Sequence, residues 1–252
     1  MSNKSIPITL HQIKASCHSC SLTQLCLPRG LEAQEVDQLD SIVKRGRPLQ
    51  RTEHLYRNGD ALRSLYVVKS GSFKSYTSTR DGAEQIVAFY LPGELMGFDA
   101  LEHERHNCSV VALETASVCE IGFDRFEDLC DTLPSLQRQM RRLVGREVSS
   151  DQNMLLLLGQ KSAEERLATF LINLATRFSE RGFSAREFNL SMPRQDIANY
   201  LGLAVETISR LFTNFQEEGL VEVDRRRIRI TDPERLTRVA SVCTHFSNAS
   251  TK

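Results

Sequence analysis

Residues 191–215 of the chain, SMPRQDIANYLGLAVETISRLFTNF, predict two short helices joined by a tight turn. Ser191 is a candidate cap for a first helix that ends near Tyr200, and Gly202 lies where the turn is needed. A second helix is expected over residues 204–217. The apolar positions have the spacing that packs two crossed helices together: Ile197, Leu201, Leu203, Ile208 and Leu211. This pattern indicates a helix-turn-helix.

The polar face of the second helix suits DNA. Glu206, Ser209 and Arg210 lie together near its N-terminal end, where a recognition helix meets base edges. Arginine can fork onto guanine O6 and N7, and glutamate can accept from cytosine N4. Residues 220–231 follow as strand, turn and strand, which indicates a β-wing. The wing contains four arginines, which could contact DNA phosphates or simply lie in a solvent-exposed turn: Arg225, Arg226, Arg227 and Arg229. A small helical domain with no DNA role is the alternative.

Upstream, a long helix is predicted to carry a dimer seam. Apolar and charged residues recur at steps of three and four: Arg141, Val144, Val148, Asp151, Leu155 and Leu158. In a parallel pair Asp151 would face its own copy, and two close carboxylates repel, so a dimer should be marginal. Arg141 adds a second like-charge pair unless it reaches an acid. The alternative is that Asp151 points to solvent at the edge of the seam.

The first half of the chain predicts short strands separated by turns. Asn58-Gly59 and Asp81-Gly82 are strong turn signals, which favours an antiparallel barrel or sandwich. Ser162 and Glu165 form a capping box before a helix over residues 163–181. We therefore expect a cysteine loop over residues 1–29, a β-barrel over 30–132, a dimerisation helix over 133–161 and a winged helix over 162–252.

Three cysteines near the start of the chain, Cys17, Cys20 and Cys26, indicate a metal, a disulfide or a reactive site. No apolar run approaches the roughly 20 residues of a membrane span, and no secretory cleavage site is evident, so we expect a cytoplasmic protein with reduced thiols. Seven cysteines fit a complete disulfide framework poorly. Spacing does not choose a fourth ligand among the remaining four: Cys108, Cys119, Cys130 and Cys243.

The chain resembles the FNR/Anr branch of the Crp/Fnr superfamily, bacterial oxygen-responsive transcription regulators. The resemblance covers nearly the whole chain and rests on five stretches: C-x2-C-x5-C at 17–26, LETASVCEI at 113–121, DQNMLLLL at 151–158, AEERLATF at 163–170 and YLGLAVETISRLF at 200–212. It implies an α+β fold, with a cyclic-nucleotide-binding-like jelly-roll barrel, a long dimer helix and a C-terminal winged helix-turn-helix.

The resemblance places the fourth ligand at Cys119 and implies a [4Fe–4S] cluster on Cys17, Cys20, Cys26 and Cys119. Four thiolates suit either a cubane cluster or zinc. A cluster that oxygen dismantles would make the chain a sensor whose intact form supports a homodimer on DNA. Zinc would make the loop a structural staple, so a zinc-stapled or small-ligand-gated regulator is the alternative. No nucleophile constellation or phosphate-binding loop indicates an enzyme.

Cyclic nucleotide binding is not expected. Gly93-Glu94 matches part of the phosphate cassette of the cyclic-nucleotide sensors, but His106-Asn107 stands where their Arg-Ser or Arg-Thr pair would be. No guanidinium fork is therefore present for the phosphate. His103 and His106 are expected to be surface loop residues and not metal ligands.

The resemblance also implies the DNA sequence that is read. Val205 stands where the cyclic-nucleotide regulators carry arginine, and valine suits a thymine methyl. A TTGAT half-site, repeated as an inverted pair in promoter DNA, is implied in place of TGTGA. Among the wing arginines, Arg226 is expected to contact a phosphate. RNA polymerase contacts are implied for residues 80–84 and 181–187.

Overall fold

The computed structural model describes residues 16–79 and 81–240, and in this part of the chain the expected α+β architecture is confirmed. Eight strands form the N-terminal half: β1 (Val43–Arg45), β2 (His54–Tyr56), β3 (Ser64–Ser70), β4 (Phe73–Ser78), β5 (Glu84–Tyr90), β6 (Leu95–Met96), β7 (Ser109–Ala112) and β8 (Ser117–Gly122). They build two antiparallel four-stranded sheets, in the orders β1-β8-β3-β6 and β2-β7-β4-β5.

The turn between β3 and β4 shows why this barrel needs glycine. Gly71 has a φ of +73°, and a Cβ built on it would lie 2.6 Å from the Cβ of Ala116. Both the backbone conformation and the close approach exclude a larger residue. The turn delivers Val68 and Phe73 into the interior, where both are fully buried with Val110.

Helices surround and follow the barrel. A short 3-10 helix (Cys17–Ser19) and α1 (Ala33–Ile42) precede it, and α2 (Phe123–Thr132) leads into the 27-residue helix α3 (Pro134–Gln160). The C-terminal part comprises α4 (Ala163–Glu180), β9 (Glu187–Asn189), α5 (Arg194–Tyr200), α6 (Val205–Glu217), β10 (Val221–Asp224), β11 (Arg227–Ile230) and α7 (Pro233–Ala240). Its small sheet has the order β10-β11-β9. None of the helices described is long and apolar enough to cross a lipid bilayer.

Two expectations about helix starts have different outcomes. The capping box of α4 is confirmed, because Ser162 Oγ accepts from the Glu165 N–H at 3.3 Å and Glu165 Oε2 accepts from the Ser162 N–H at 2.7 Å. The cap predicted at Ser191 is wrong. The helix begins three residues later, after Pro193, and Ser191 Oγ instead accepts a 2.7 Å bond from Ser72 of the barrel.

The expectation that His106 is a surface residue is also wrong. It is 3% exposed, its ring stacks on Tyr56 at a centroid distance of 3.6 Å, and its Nδ1 lies 3.2 Å from Asp99 Oδ1. Cys108 is buried beside it and its thiol donates to Asp99 Oδ2 at 3.2 Å. Local sequence gave no sign that this loop folds back into the barrel. His103 does lie on the surface.

A partly buried set of ion pairs joins the barrel to α4. The Glu94 carboxylate accepts from Arg177 Nε at 2.9 Å and from Arg181 Nη2 at 2.6 Å, and its Oε2 also accepts from the Leu91 N–H at 2.9 Å. Burial alone would raise the pKa of Glu94, but the two guanidinium groups hold that pKa below its usual value. These ion pairs therefore involve a charged carboxylate.

A second set of contacts fixes α5 to the barrel. Lys74 Nζ lies 2.9 Å from both carboxylate oxygens of Asp196. The Asn199 side chain pairs with the edge strand β5, since its Oδ1 accepts from the Ile86 N–H at 2.6 Å and its Nδ2 donates to the Glu84 carbonyl at 2.7 Å. Phe89 of β5 packs against Tyr200 at 5.0 Å between ring centroids. The C-terminal part is thus docked on β4 and β5.

Glu94→Gln should lower the free energy of unfolding by about 2–3 kcal/mol, because Arg181 would stay buried, with 2% of its side chain exposed, without a charged partner. The midpoint of urea unfolding, followed by circular dichroism, measures the change. Glu127→Gln on the exposed face of α2 is the matched control and should shift stability by less than about 0.5 kcal/mol. Equal midpoints for both variants would show that the arginines find other acceptors.

Candidate metal centre and nucleic-acid interface

Four cysteines line one cavity of about 40 Å³. Cys17, Cys20 and Cys26 come from the loop before α1, and Cys119 comes from β8, where it pairs with Arg45 and Val67 on the neighbouring strands. Leucine, isoleucine and valine side chains form much of the wall: Leu22, Leu27, Leu39, Val43, Val67, Val68 and Ile121. The structure therefore brings together the four cysteines that the resemblance implied.

The other cysteines lie elsewhere. Cys108 is buried inside the barrel against Asp99, and Cys130 is half-buried on α2. Cys243 lies outside the described residues.

Hydrogen bonds hold the cysteine loop in place. The Cys17 N–H donates to Asp40 Oδ1 at 3.0 Å, and the same oxygen accepts from Arg45 Nη2 at 2.5 Å. Arg45 Nη2 also lies 3.8 Å from the Cys17 sulfur. Thr23 Oγ1 is 2.7 Å from the carbonyl oxygens of Cys17 and Cys20. Sequence reasoning missed Asp40, Arg45 and Thr23, because each is a common polar residue whose role depends on the fold.

Burial disfavours the thiolate form of three cysteines in this cavity, Cys17, Cys26 and Cys119. Burial, followed by the hydrogen bond and charge of Asp40, raises the pKa of Cys17 to about 12. Burial likewise raises the pKa of Cys26 and of Cys119. A bound metal group would compensate these thiolates, and its binding would release their protons. Four sulfur donors around an apolar cavity fit an iron–sulfur cluster in kind and number.

Within residues 16–79 and 81–240, no three His, Cys, Asp or Glu side chains converge on a position for a single metal ion. The cysteines surround a cavity and do not meet at one point.

The middle of α3 exposes an apolar stripe on the single chain. Val148 is 50% exposed and Leu155 is 72% exposed, and Asp151 lies exposed between them. Arg141 is also exposed and donates to Gln137 Oε1 on its own helix at 3.0 Å.

Two predicted seam residues differ from this stripe. Val144 is half-buried. Leu158 packs against the core of the C-terminal part, so the exposed stripe stops before it. The helix reaches that core near its end, where Leu157 is buried, and an isolated heptad pattern could not show this.

Negative charge concentrates beside the stripe. Burial, and then the charges of Asp151 and Glu94, raise the pKa of Glu147 to about 7. Partial burial also raises the pKa of Asp151. The Tyr90 hydroxyl donates to Glu147 Oε1 at 3.4 Å, which ties this part of α3 to the barrel. Asp151 of the predicted seam therefore has a second acid, Glu147, one helical turn before it on the side that faces the barrel.

The helix-turn-helix is built around a small apolar core. Gly202 has a φ of +62° at the turn. Of the five predicted packing residues, Leu203 is half-buried. The other four are buried: Ile197, Leu201, Ile208 and Leu211. The Arg194 guanidinium of α5 lies 3.3 Å from the ring centroid of Phe212 on α6. This packing fixes the angle between the two helices.

The face of α6 that was predicted to read DNA is open to solvent. Glu206, Ser209 and Arg210 are exposed, and Val205 is 38% exposed at the first position of the helix. Ser209 Oγ donates to the Val205 carbonyl at 2.9 Å.

The wing arginines divide into two groups. Arg227 and Arg229 form ion pairs with Glu187 on the neighbouring strand β9. Arg225 forms the turn with a φ of +53°, and Arg226 beside it is exposed. The turn pair is therefore better placed for phosphate than the strand pair.

Comparisons with known proteins agree with this architecture. Residues 165–239 match the Crp-like helix-turn-helix domain family, and residues 47–133 match the cyclic nucleotide-binding domain family. The chain is 52% identical to the transcriptional activator protein FnrA of Stutzerimonas stutzeri, over 88% of this chain and 91% of that protein. It is 50% identical to the transcriptional activator protein Anr of Pseudomonas aeruginosa, over 90% and 93%.

Further relatives extend the same group. The fumarate and nitrate reduction regulatory protein of Vibrio cholerae is 51% identical over 90% of each chain. The structure of FixK2 from Bradyrhizobium japonicum superposes with a TM-score of 0.73 at 28% identity, over 80% of this chain and 99% of that one. The chain belongs to the FNR/Anr-type transcription regulators of the Crp/Fnr family, which are not enzymes and bind DNA through a helix-turn-helix.

Proposed function

We propose that this chain is an oxygen sensor that activates transcription at low oxygen, with a [4Fe–4S] cluster on Cys17, Cys20, Cys26 and Cys119. The observation that carries the proposal is the single cavity that these four cysteines line. The same chain exposes a base-reading face on α6 and an apolar stripe on α3. It therefore has a sensing site, a DNA surface and a surface for a second copy.

When bound, the cluster supplies a centre that oxygen oxidises. The chain contributes the rest of the chemistry. Apolar walls limit the access of water to the half-buried thiols, and Asp40 accepts a hydrogen bond from the backbone of Cys17. Arg45 places a positive charge near the Cys17 sulfur, which favours its thiolate. A zinc-stapled regulator remains the alternative function, because zinc also takes four thiolates.

The homodimer is proposed to form along α3. Its exposed apolar residues, Val148 and Leu155, need a partner surface to be removed from water. Asp151 between them would bring two carboxylates together across a parallel pair and oppose that gain. The dimer is then close to balance, where a modest contribution from the cluster loop decides its population.

The DNA target is proposed to be an inverted repeat of TTGAT half-sites in promoter DNA. Arg210 would read the G·C pair, Glu206 would accept from bases of the opposite strand, and Val205 would contact a thymine methyl. Ser209 lies beside them, and Arg226 would contact a phosphate at the wing.

RNA polymerase is the proposed partner of the DNA-bound form, and the surface implied for it needs one correction. Arg181 cannot contribute, because 2% of its side chain is exposed and it is paired with Glu94. Arg80 lies outside the described residues. The exposed part of the second region includes Phe183, which is 61% exposed.

No cyclic nucleotide is expected as the ligand of the barrel. The Glu94 carboxylate is already engaged by Arg177 and Arg181. His106, which stands in place of the missing arginine, is stacked inside the barrel on Tyr56. The residues of the partial cassette are therefore used within the fold.

Protein purified without oxygen should show the broad visible absorption of thiolate-to-iron charge transfer, and air should bleach it. Serine at Cys17, Cys20, Cys26 or Cys119 should abolish the colour because a ligand is lost. The matched controls, Cys108→Ser and Cys130→Ser, should keep it, since neither residue lines the cavity. Colourless parent protein with stoichiometric zinc would decide for the alternative.

Asp151→Ala should raise the dimer fraction of the cluster-free protein, by about tenfold in the association constant, because the paired carboxylates are removed. Analytical ultracentrifugation of parent and variant in air measures the change. Asp128→Ala on the exposed face of α2 is the control. A variant as monomeric as the parent would show that Asp151 is not the restraint, and Arg141→Leu is then the next variant.

Arg210→Ala should weaken binding to the TTGAT repeat by about 1–3 kcal/mol and leave non-specific binding nearly unchanged, because a base contact is lost. Arg226→Ala should weaken both kinds of binding and reduce the salt slope by about one if it contacts one phosphate. Fluorescence anisotropy at several salt concentrations, with cluster intact, measures both effects.

A competition between TTGAT and TGTGA repeats at fixed salt tests the assignment of specificity. Preference for TGTGA would contradict the roles given to Val205 and Ser209.

A further inference from the structure

A glutamine on α3 contacts the backbone of the cysteine loop. Gln139 is 3% exposed, and its Nε2 donates to the carbonyl oxygen of Cys26 at 3.1 Å. Gln139 lies on the buried side of the helix, between the buried Leu136 and the half-buried Leu143. A buried amide in an apolar cluster costs stability unless it is hydrogen-bonded, so this bond needs an explanation.

The amide is only half satisfied. Its Oε1 is buried and has no hydrogen-bond partner among the described residues. An apolar side chain of similar size would avoid that unpaired oxygen, and a purely structural position would favour it. The bond to Cys26 is the feature of Gln139 that an apolar residue could not reproduce.

The loop and the helix also share one apolar cluster. Leu27, next to Cys26, is 1% exposed and belongs to the same buried cluster as Leu136 of α3 and Leu133, which directly precedes that helix. Leu27 also lines the cysteine cavity. A rearrangement at Cys26 would therefore act on α3 through the packing of Leu27 and directly through the amide of Gln139.

The position of Gln139 along α3 suits transmission to the dimer stripe. Val148 is nine residues further along the same helix, about 13 Å at 1.5 Å per residue. The helix runs without interruption between the two positions. A displacement at Gln139 would thus be carried to the stripe by a rigid element.

We propose that Gln139 is a positioning residue that transmits the state of the cysteine loop to the dimer helix through its bond to the Cys26 carbonyl. This inference rests on the proposed function, since it assumes that a cluster on Cys26 and its partners controls the dimer. Gln139 does not line the cysteine cavity, and its bond is to the backbone oxygen of Cys26. Its role is to make the orientation of α3 depend on where the loop holds Cys26.

Gln139→Leu tests the inference, because it removes the bond and the unpaired oxygen with little change in volume. Dimer dissociation constants are measured by anaerobic sedimentation for the cluster-loaded and the cluster-free protein. The variant should take up the cluster with parental absorbance. Its cluster-loaded dimer should be about fivefold weaker than the parent's, the effect of one net hydrogen bond, and its cluster-free form should be unchanged.

Gln160→Leu, at the exposed C-terminal end of α3, is the matched control and should keep the parental ratio between the two constants. Gln139→Asn retains the amide but shortens its reach. If circular dichroism shows that Gln139→Leu is unfolded, the dimer constants of Gln139→Asn are measured in its place. Gln139→Asn should show the same fivefold loss.

Three results would overturn the inference. A parental ratio in a folded Gln139 variant shows that the bond carries no coupling. Loss of the cluster from that variant shows that Gln139 only holds the ligand loop. A parent protein whose dimer constant is the same with and without cluster contradicts the proposed function itself, and the inference with it.

Discussion

The paired arginines on Glu94 are the constraint on which the arrangement of the molecule depends. A carboxylate and two guanidinium groups that are largely withdrawn from water are stable only when they meet with good geometry. Arg177 and Arg181 are therefore held at the barrel, and α4, which carries both, is held with them. The helix-turn-helix packs in the same core as α4 and is therefore held on the barrel, with the reading face of α6 turned to solvent.

Local patterns in the sequence were sufficient where neighbours along the chain decide the structure. The capping box at Ser162 and the apolar spacing around Gly202 both depend on residues within a few positions, and both are confirmed. The pattern was insufficient where distant segments meet. His106 is buried by a loop that folds into the barrel, and Leu158 is drawn into the C-terminal core. Cys119 could be chosen only from the family resemblance, since no local spacing links it to the loop.

Helix α3 belongs to two cores at once. Near its start, Leu136 packs in the cluster that also contains Leu27 of the cysteine loop. Near its end, Leu157 packs in the core of the C-terminal part. Neither core packs over most of the stretch between these two ends. Val148 and Leu155 therefore remain exposed. A second copy of the helix would cover this middle stretch, so the proposed dimer surface would lie between the cysteine cavity and the helix-turn-helix.

The charges along the middle of α3 affect how strongly a second copy could pack against it. Glu147 faces Asp151 on its own helix, Tyr90 and Glu94 from the barrel and Arg177 from α4. Its pKa near 7 lies above the usual value, so the folded chain holds the proton more tightly than the unfolded chain. That contribution to stability is complete below pH 4 and is lost as the pH rises through 7. Protonation of Glu147 would also weaken its repulsion of Asp151 on the same helix, so the centre of the proposed seam would carry the most negative charge when both acids are ionised.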